Sequence, residues 1–306
     1  MDLVGTPAAL RRWTIASLVA NMGLVVTGGL VRITGSGLGC STWPQCEPGS
    51  YTPHGDAPLH AYIEFGNRLL TFVLAAVAIG TFVAAWRARD AAGRPRRHLR
   101  GLALAAGLGI PAQAVIGGLS VLTTLNPWVV GLHMVVSVAL IVLCVLMVHD
   151  AFDVGPVEAR PLIRRLVLLA SGLGLLAVLL GIVVTGAGPN SGDGGAARSG
   201  LDPLWTARIH SLTVWAVVAT TVVLLWLVRR DPSVRRAAVL LLVVELLQGA
   251  VGYAQYFLGL PPALVALHML GTASFAAALA NLWWLTRTRD QNSSGSTAAA
   301  MNTIAR

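Results

Sequence analysis

At 306 residues the chain has room for one large domain or two small ones, yet the AVILMFWYC set makes up 55% of it and charged residues only 11%. A soluble domain carries about 25% charged residues, so this composition excludes a water-covered globule and makes lipid the solvent for most of the chain. The net charge of +9 is carried by arginine alone, in short clusters between apolar runs, a pattern that sets membrane orientation and excludes nucleic acid as a partner.

Eight apolar stretches are long enough to span a bilayer as helices, which need roughly 20 residues each. They lie near 13–33, 62–86, 101–122, 128–148, 166–187, 205–228, 237–258 and 263–285. The first does not read as a cleavable signal peptide, because no small-residue cleavage site follows it and the chain runs on into a glycine loop. Continuous apolar runs without alternation exclude a β-barrel. The fold class is an all-α polytopic membrane protein.

Counting arginines by loop gives the orientation. One side holds Arg11, Arg12, the cluster from Arg87 to Arg100, Arg160, Arg164, Arg165, Arg229, Arg230, Arg235, Arg236 and the tail; the other keeps Arg32, Arg68, Arg198 and Arg208. This asymmetry predicts that both termini are cytoplasmic, in a cell (plasma) membrane protein whose active-site side faces outward. A flexible tail is expected over 288–306.

The outer loops alternate long and short. Residues 34–61 and 188–204 are rich in Gly, Ser and Pro, whereas Asn126-Pro127 and Pro261-Pro262 mark tight turns. Gln113 to His133 and Gln248 to His268 have the same spacing, and LVVTGG at 24–29 resembles IVVTGA at 182–187. Together these predict two tandem four-helix bundles, 1–155 and 156–306.

Ionisable groups inside membrane helices are costly and mark function. His54, His98 and His149 lie in loops or at a helix end, where a solvated side chain is the simple expectation. His133, His210 and His268 instead lie within about two turns of the outer ends of helices four, six and eight, and His60 stands at the entry of helix two. Imidazoles facing each other across a bundle can supply both axial ligands of a haem iron, and the second half offers His210 and His268 for that. Arg208 or Arg32 would receive the propionates.

The first half is not an exact copy, since Asn67 stands where its counterpart carries His210, and Asn cannot replace imidazole as a strong iron ligand. His60 would need a shifted cofactor to substitute. Glu64 is four residues from both His60 and Arg68, and has two readings: an i,i+4 ion pair with Arg68, or a carboxylate held beside a reactive cofactor. Glu245, in helix seven, could bond within the bundle, for instance to Gln248.

Cys40 and Cys46 share the first outer loop, where a disulfide is permitted and a redox-active pair is the alternative; Cys144 reads as a buried structural thiol. A disulfide would fix Trp43-Pro44 as a lid over the first-half site. GSGLG at 35–39 is not a dinucleotide fingerprint, because no strand–turn–helix unit surrounds it.

GSGLGCSTWPQC at 35–46, IEFGNR at 63–68, LHM at 132–134 and 267–269, and the duplicated eight-helix plan together resemble the haem A synthase family (CtaA/COX15) of bacteria. The resemblance implies an oxidoreductase that converts the methyl group of haem O to a formyl group, giving haem A for terminal oxidases. It further implies haem b, held through iron by His210 and His268, as cofactor of the second half. The substrate haem would lie in the first half with His133 as its metal ligand, near His60, Asn67 and Arg68. Glu64 would be the catalytic carboxylate and Cys40–Cys46 a disulfide. A membrane electron partner and a haem O synthase would be its protein partners. In the family, helix two reads Glu-x-x-His-Arg, whereas this chain has Asn67. A b-type electron-transfer cytochrome is the first alternative, favoured by symmetric bis-histidine sites. A repeat-built transporter is the second, favoured by broken helices at the midplane.

Overall fold

A computed structural model describes residues 4–55, 57–190 and 192–288; the expected tail therefore lies, beyond 288, outside the described residues. The described chain forms eight helices: α1 Pro7–Ile33, α2 Leu59–Arg87, α3 Arg97–Leu122, α4 Pro127–Ala151, α5 Pro161–Ala187, α6 Pro203–Leu227, α7 Pro232–Phe257 and α8 Pro262–Thr286. All eight are long and apolar enough to cross a membrane, and we read the protein as a multi-pass membrane protein.

Several helices start earlier than the hydropathy expects, by six residues in α1 and five in α5 and α7. Hydropathy falls at the arginines, but helix formation continues until a cap stops it. Thr6, Asn126, Asp202 and Asp231 each precede a proline and accept hydrogen bonds from backbone N–H groups of the first turn.

The helices close two rings. α1 packs on α2, α2 on α3, α3 on α4 and α4 on α1; α5 through α8 close in the same way, and the rings meet where α8 touches α1 and α4, and where α4 touches α5. Glycines let these seams close, as where Gly131 receives Ile182 and Gly186 receives Pro127. Consecutive helices alternate in direction, so the arginine clusters gather at one end. There Arg100 lies over Trp86, Arg229 over Trp226 and Arg287 over Trp284, at 4.5, 5.2 and 3.1 Å from the ring centroids.

The packed cores sit toward that arginine end. Leu10, Leu99, Cys144 and Met147 fill the first ring, and Val167, Val217, Leu224, Leu241 and Leu282 the second. At the opposite end the two long loops are stitched together. Gly37 donates its N–H to the Gly192 carbonyl at 2.9 Å, and Arg32 reaches from α1 to the carbonyls of Asn190 and Thr185. Tight packing below and loops above leave the middle of the bundle open.

Candidate functional site

That open space is a cavity of about 1890 Å³, walled by both rings and largely apolar. His133, His210, His268, Glu64, Asn67 and Arg68 all line it. His60 does not: its ring is exposed and its Nδ1 lies 2.8 Å from the Ser36 hydroxyl. One turn of helix separates His60 from Glu64, but the loop hydroxyl draws the imidazole away from the interior.

Each cavity histidine is held by a glycine on the preceding helix. A Cβ added at Gly117 would stand 3.3 Å from Cε1 of His133; at Gly181 it would stand 3.2 Å from that of His210, and at Gly252 3.2 Å from that of His268. A ring seated so closely on helix backbone has little freedom to tilt. His210 has a second restraint, because its Nδ1 lies 2.9 Å from the Ala177 carbonyl. A carbonyl can only accept, so Nδ1 carries the proton and Nε2 keeps its lone pair for a ligand.

A glutamine positions each of the other two. Gln113 donates Nε2 to the His133 carbonyl at 3.1 Å and to the Ser137 hydroxyl at 2.6 Å. Gln248 does the same to His268 and Thr272, at 2.8 and 3.0 Å. The equal Gln–His spacing, visible in the sequence, is the trace of this shared support.

Glu64 is buried and fully engaged. Its Oε1 accepts from Arg68 at 2.6 Å, and its Oε2 accepts the Cys40 N–H at 2.8 Å. Arg68 goes on to the carbonyls of Thr42 and Gln45, at 3.1 and 3.3 Å. Cys40 and Cys46 form a disulfide, so one ion pair grips both ends of a covalently closed loop. Gly39 is essential to this approach, because any Cβ there would overlap the His60 carbonyl and the Ala61 nitrogen. Trp43 and Pro44 from the same loop line the cavity, and the Trp43 ring lies directly on Gly118.

The cavity-facing register of α2 recurs in α6. Glu64, Asn67, Arg68, Thr71, Phe72 and Leu74 line it, and 143 residues later so do Ala207, His210, Ser211, Val214, Trp215 and Val217. Asn67 thus takes the place of His210. For α1 and α5 the register differs from the sequence match. LVVTGG and IVVTGA align at an offset of 158, but the cavity-facing Asn21, Leu24, Val25 and Gly28 correspond to Val178, Gly181, Ile182 and Thr185, an offset of 157. Similar apolar strings are interchangeable in lipid; the faces that pack decide the register.

Two further expectations change. Glu245 bonds not to Gln248 but to Thr221, whose hydroxyl donates to Oε1 at 2.9 Å, while its buried Oε2 has no hydrogen-bond partner. His149 is not solvated: it is buried and stacked on Trp284, with centroids 5.5 Å apart. Arg32 and Arg208 both line the cavity.

The sequence family described as cytochrome oxidase assembly protein, COX15-CtaA, matches residues 11–189, more than half of the chain. The chain belongs to this COX15-CtaA family. Among curated relatives, the "Heme A synthase" of Listeria welshimeri is 31% identical over 145 residues, covering 46% of each chain. That of Staphylococcus haemolyticus is 27% identical over 192 residues, covering 60% of this chain and 61% of its own. That of Lysinibacillus sphaericus is 31% identical over 149 residues, covering 47% of this chain and 46% of its own. The chain thus spans about half the length of most of these curated relatives.

Proposed function

We propose that this membrane protein is a haem A synthase, oxidising the methyl group of haem O to a formyl group by successive hydroxylations, the second giving a geminal diol that loses water. The observation that carries this reading is a single cavity bringing Glu64 and His133 of the first four helices together with His210 and His268 of the second four. In this reading the halves 1–155 and 156–306 are duplicated bundles, the first holding substrate and the second a haem b cofactor. Both termini are cytoplasmic and the site faces outward.

The residues suit a haem. The lining is mostly apolar, as a macrocycle requires, and the glycine cradles under His210 and His268 fix imidazoles that retain a free ring nitrogen. Bound there, haem b supplies one-electron redox chemistry. His210 and His268 would hold its iron, and Arg208 and Arg32, which line the same cavity, would receive its propionates.

In the first half, His133 would hold the substrate iron, with Gln113 tying its main-chain carbonyl to α3. Trp43 and Pro44, fastened by the Cys40–Cys46 loop, form part of the chamber wall. Glu64 puts a negative charge on the chamber wall, able to stabilise positive charge that develops at the methyl carbon or to take its proton. The ion pair with Arg68 holds that carboxylate in place. An electron partner in the membrane and a haem O synthase upstream are implied by the reaction.

Reverse-phase chromatography of haems extracted from cells that express the chain with a haem O source tests the proposal. Haem A from the wild type, and only haem O from Glu64→Ala, is the expected result. Bound haem b with no haem A from the wild type would replace the reading with an electron-transfer cytochrome.

A further inference from the structure

Three of the four helix pairs seat an imidazole edge against a glycine: Gly117 with His133, Gly181 with His210, and Gly252 with His268. The fourth pair, α1 and α2, departs at both positions. α2 carries Asn67 in the register of His210, and α1 carries Leu24 in the register of Gly181; both line the cavity. A one-residue slip would have presented Gly23 instead, but Gly23 is exposed, lies outside the cavity wall, and a Cβ on it meets nothing within 4 Å. At this register the wall therefore lacks the imidazole and also the glycine that accepts one.

We infer that the first-half site takes its haem on His133 alone, and that the opposite face, bounded by Leu24 and Asn67, is an open position for a small neutral molecule. The inference rests on the haem reading above and goes beyond it, because it concerns how many ligands this chain's own walls can provide. An asparagine amide is not a strong iron ligand. Its Oδ1 is buried without a hydrogen-bond partner, so the amide is not already committed to another side chain through that atom. Leu24 places a branched side chain at the register position where the other three pairs have glycine.

The test uses the full chain in detergent, loaded with haem and reduced, with carbon monoxide as probe and the absorption spectrum as readout. One of the two haems is expected to take up carbon monoxide, while the other, held by His210 and His268, does not respond. His133→Ala removes the reactive haem and leaves the inert one, which also reports that the variant is folded. Asn67→His alone leaves the reactive haem, because Leu24 still stands where the other three pairs have glycine. The double variant Leu24→Gly/Asn67→His converts it to an inert, low-spin haem.

A wild-type chain with no reactive haem overturns the inference, and so does loss of reactivity in Asn67→His alone. Haem A formation is scored separately. Carbon monoxide uptake without haem A would remove the synthase reading and keep this one, whereas haem A formation with two inert haems would do the reverse.

Discussion

The side-chain amide of Gln248 donates to the main-chain carbonyl of His268 at 2.8 Å, tying α7 to the residue of α8 that faces the cavity. The same amide also reaches Thr272, so one buried side chain holds a full turn of α8 in place. Gln248→Leu removes two hydrogen bonds at about 1 kcal/mol each, which corresponds to roughly 30-fold weaker haem retention. Haem content after dialysis against apomyoglobin measures it. Gln113→Leu should deplete the other haem and leave the first untouched; equal loss of both from either variant would contradict separate support.

Glu64 and Arg68 form the only connection from α2 to both ends of the disulfide loop among the hydrogen bonds described above. Glu64→Ala leaves a largely buried guanidinium uncompensated, a loss of about 3 kcal/mol. Glu64→Gln keeps an acceptor for Cys40 and should lose less stability while still losing haem A formation. Thermal unfolding in detergent and haem chromatography, run on the same samples, separate the two effects. If Glu64→Gln makes haem A at the wild-type level, the charge is not required and the carboxylate only holds the loop.

Alanine in place of Gly252 or Gly181 puts a Cβ about 0.2 Å inside ordinary contact with the facing imidazole, at 3.2 Å from Cε1. Backbone cannot give way, so the ring must tilt. The expected result is a shifted low-spin haem spectrum and weaker haem retention. Gly23→Ala is the control: with open space around it, the substitution should leave the spectrum unchanged and raise helix stability by up to ~1 kcal/mol. An unaltered spectrum in both Gly252→Ala and Gly181→Ala would show that the cradles do not fix the ligands.

Glu245 is buried, with one oxygen on Thr221 and the other without a hydrogen-bond partner. An unsatisfied buried carboxylate costs stability, so Glu245→Leu should stabilise the fold, by about 1–2 kcal/mol, and leave haem A formation unchanged. A rise in thermal midpoint with full activity supports a packing role. Loss of haem A formation in a stable Glu245→Leu protein would give Glu245 a part in the reaction.

Eight helices, the arginine asymmetry, the tight turn at Asn126-Pro127, and the three histidines that line the cavity are legible in the sequence. They depend on hydropathy, local caps and spacing along a single helix, and each is decided within some twenty residues. The Gln–His pairing was legible as well, because a turn of fixed length separates α3 from α4 and α7 from α8. The facing of one helix toward another was not. Glu245 turns to Thr221 and not Gln248, His149 stacks on Trp284, His60 leaves the interior for Ser36, and Leu24, not Gly23, meets the cavity. In lipid an apolar helix has almost the same energy in any rotation about its axis, so only close packing against its neighbours selects the face. A shift of one residue turns a helix by about a quarter turn. That is how Leu24, and not Gly23, comes to line the cavity.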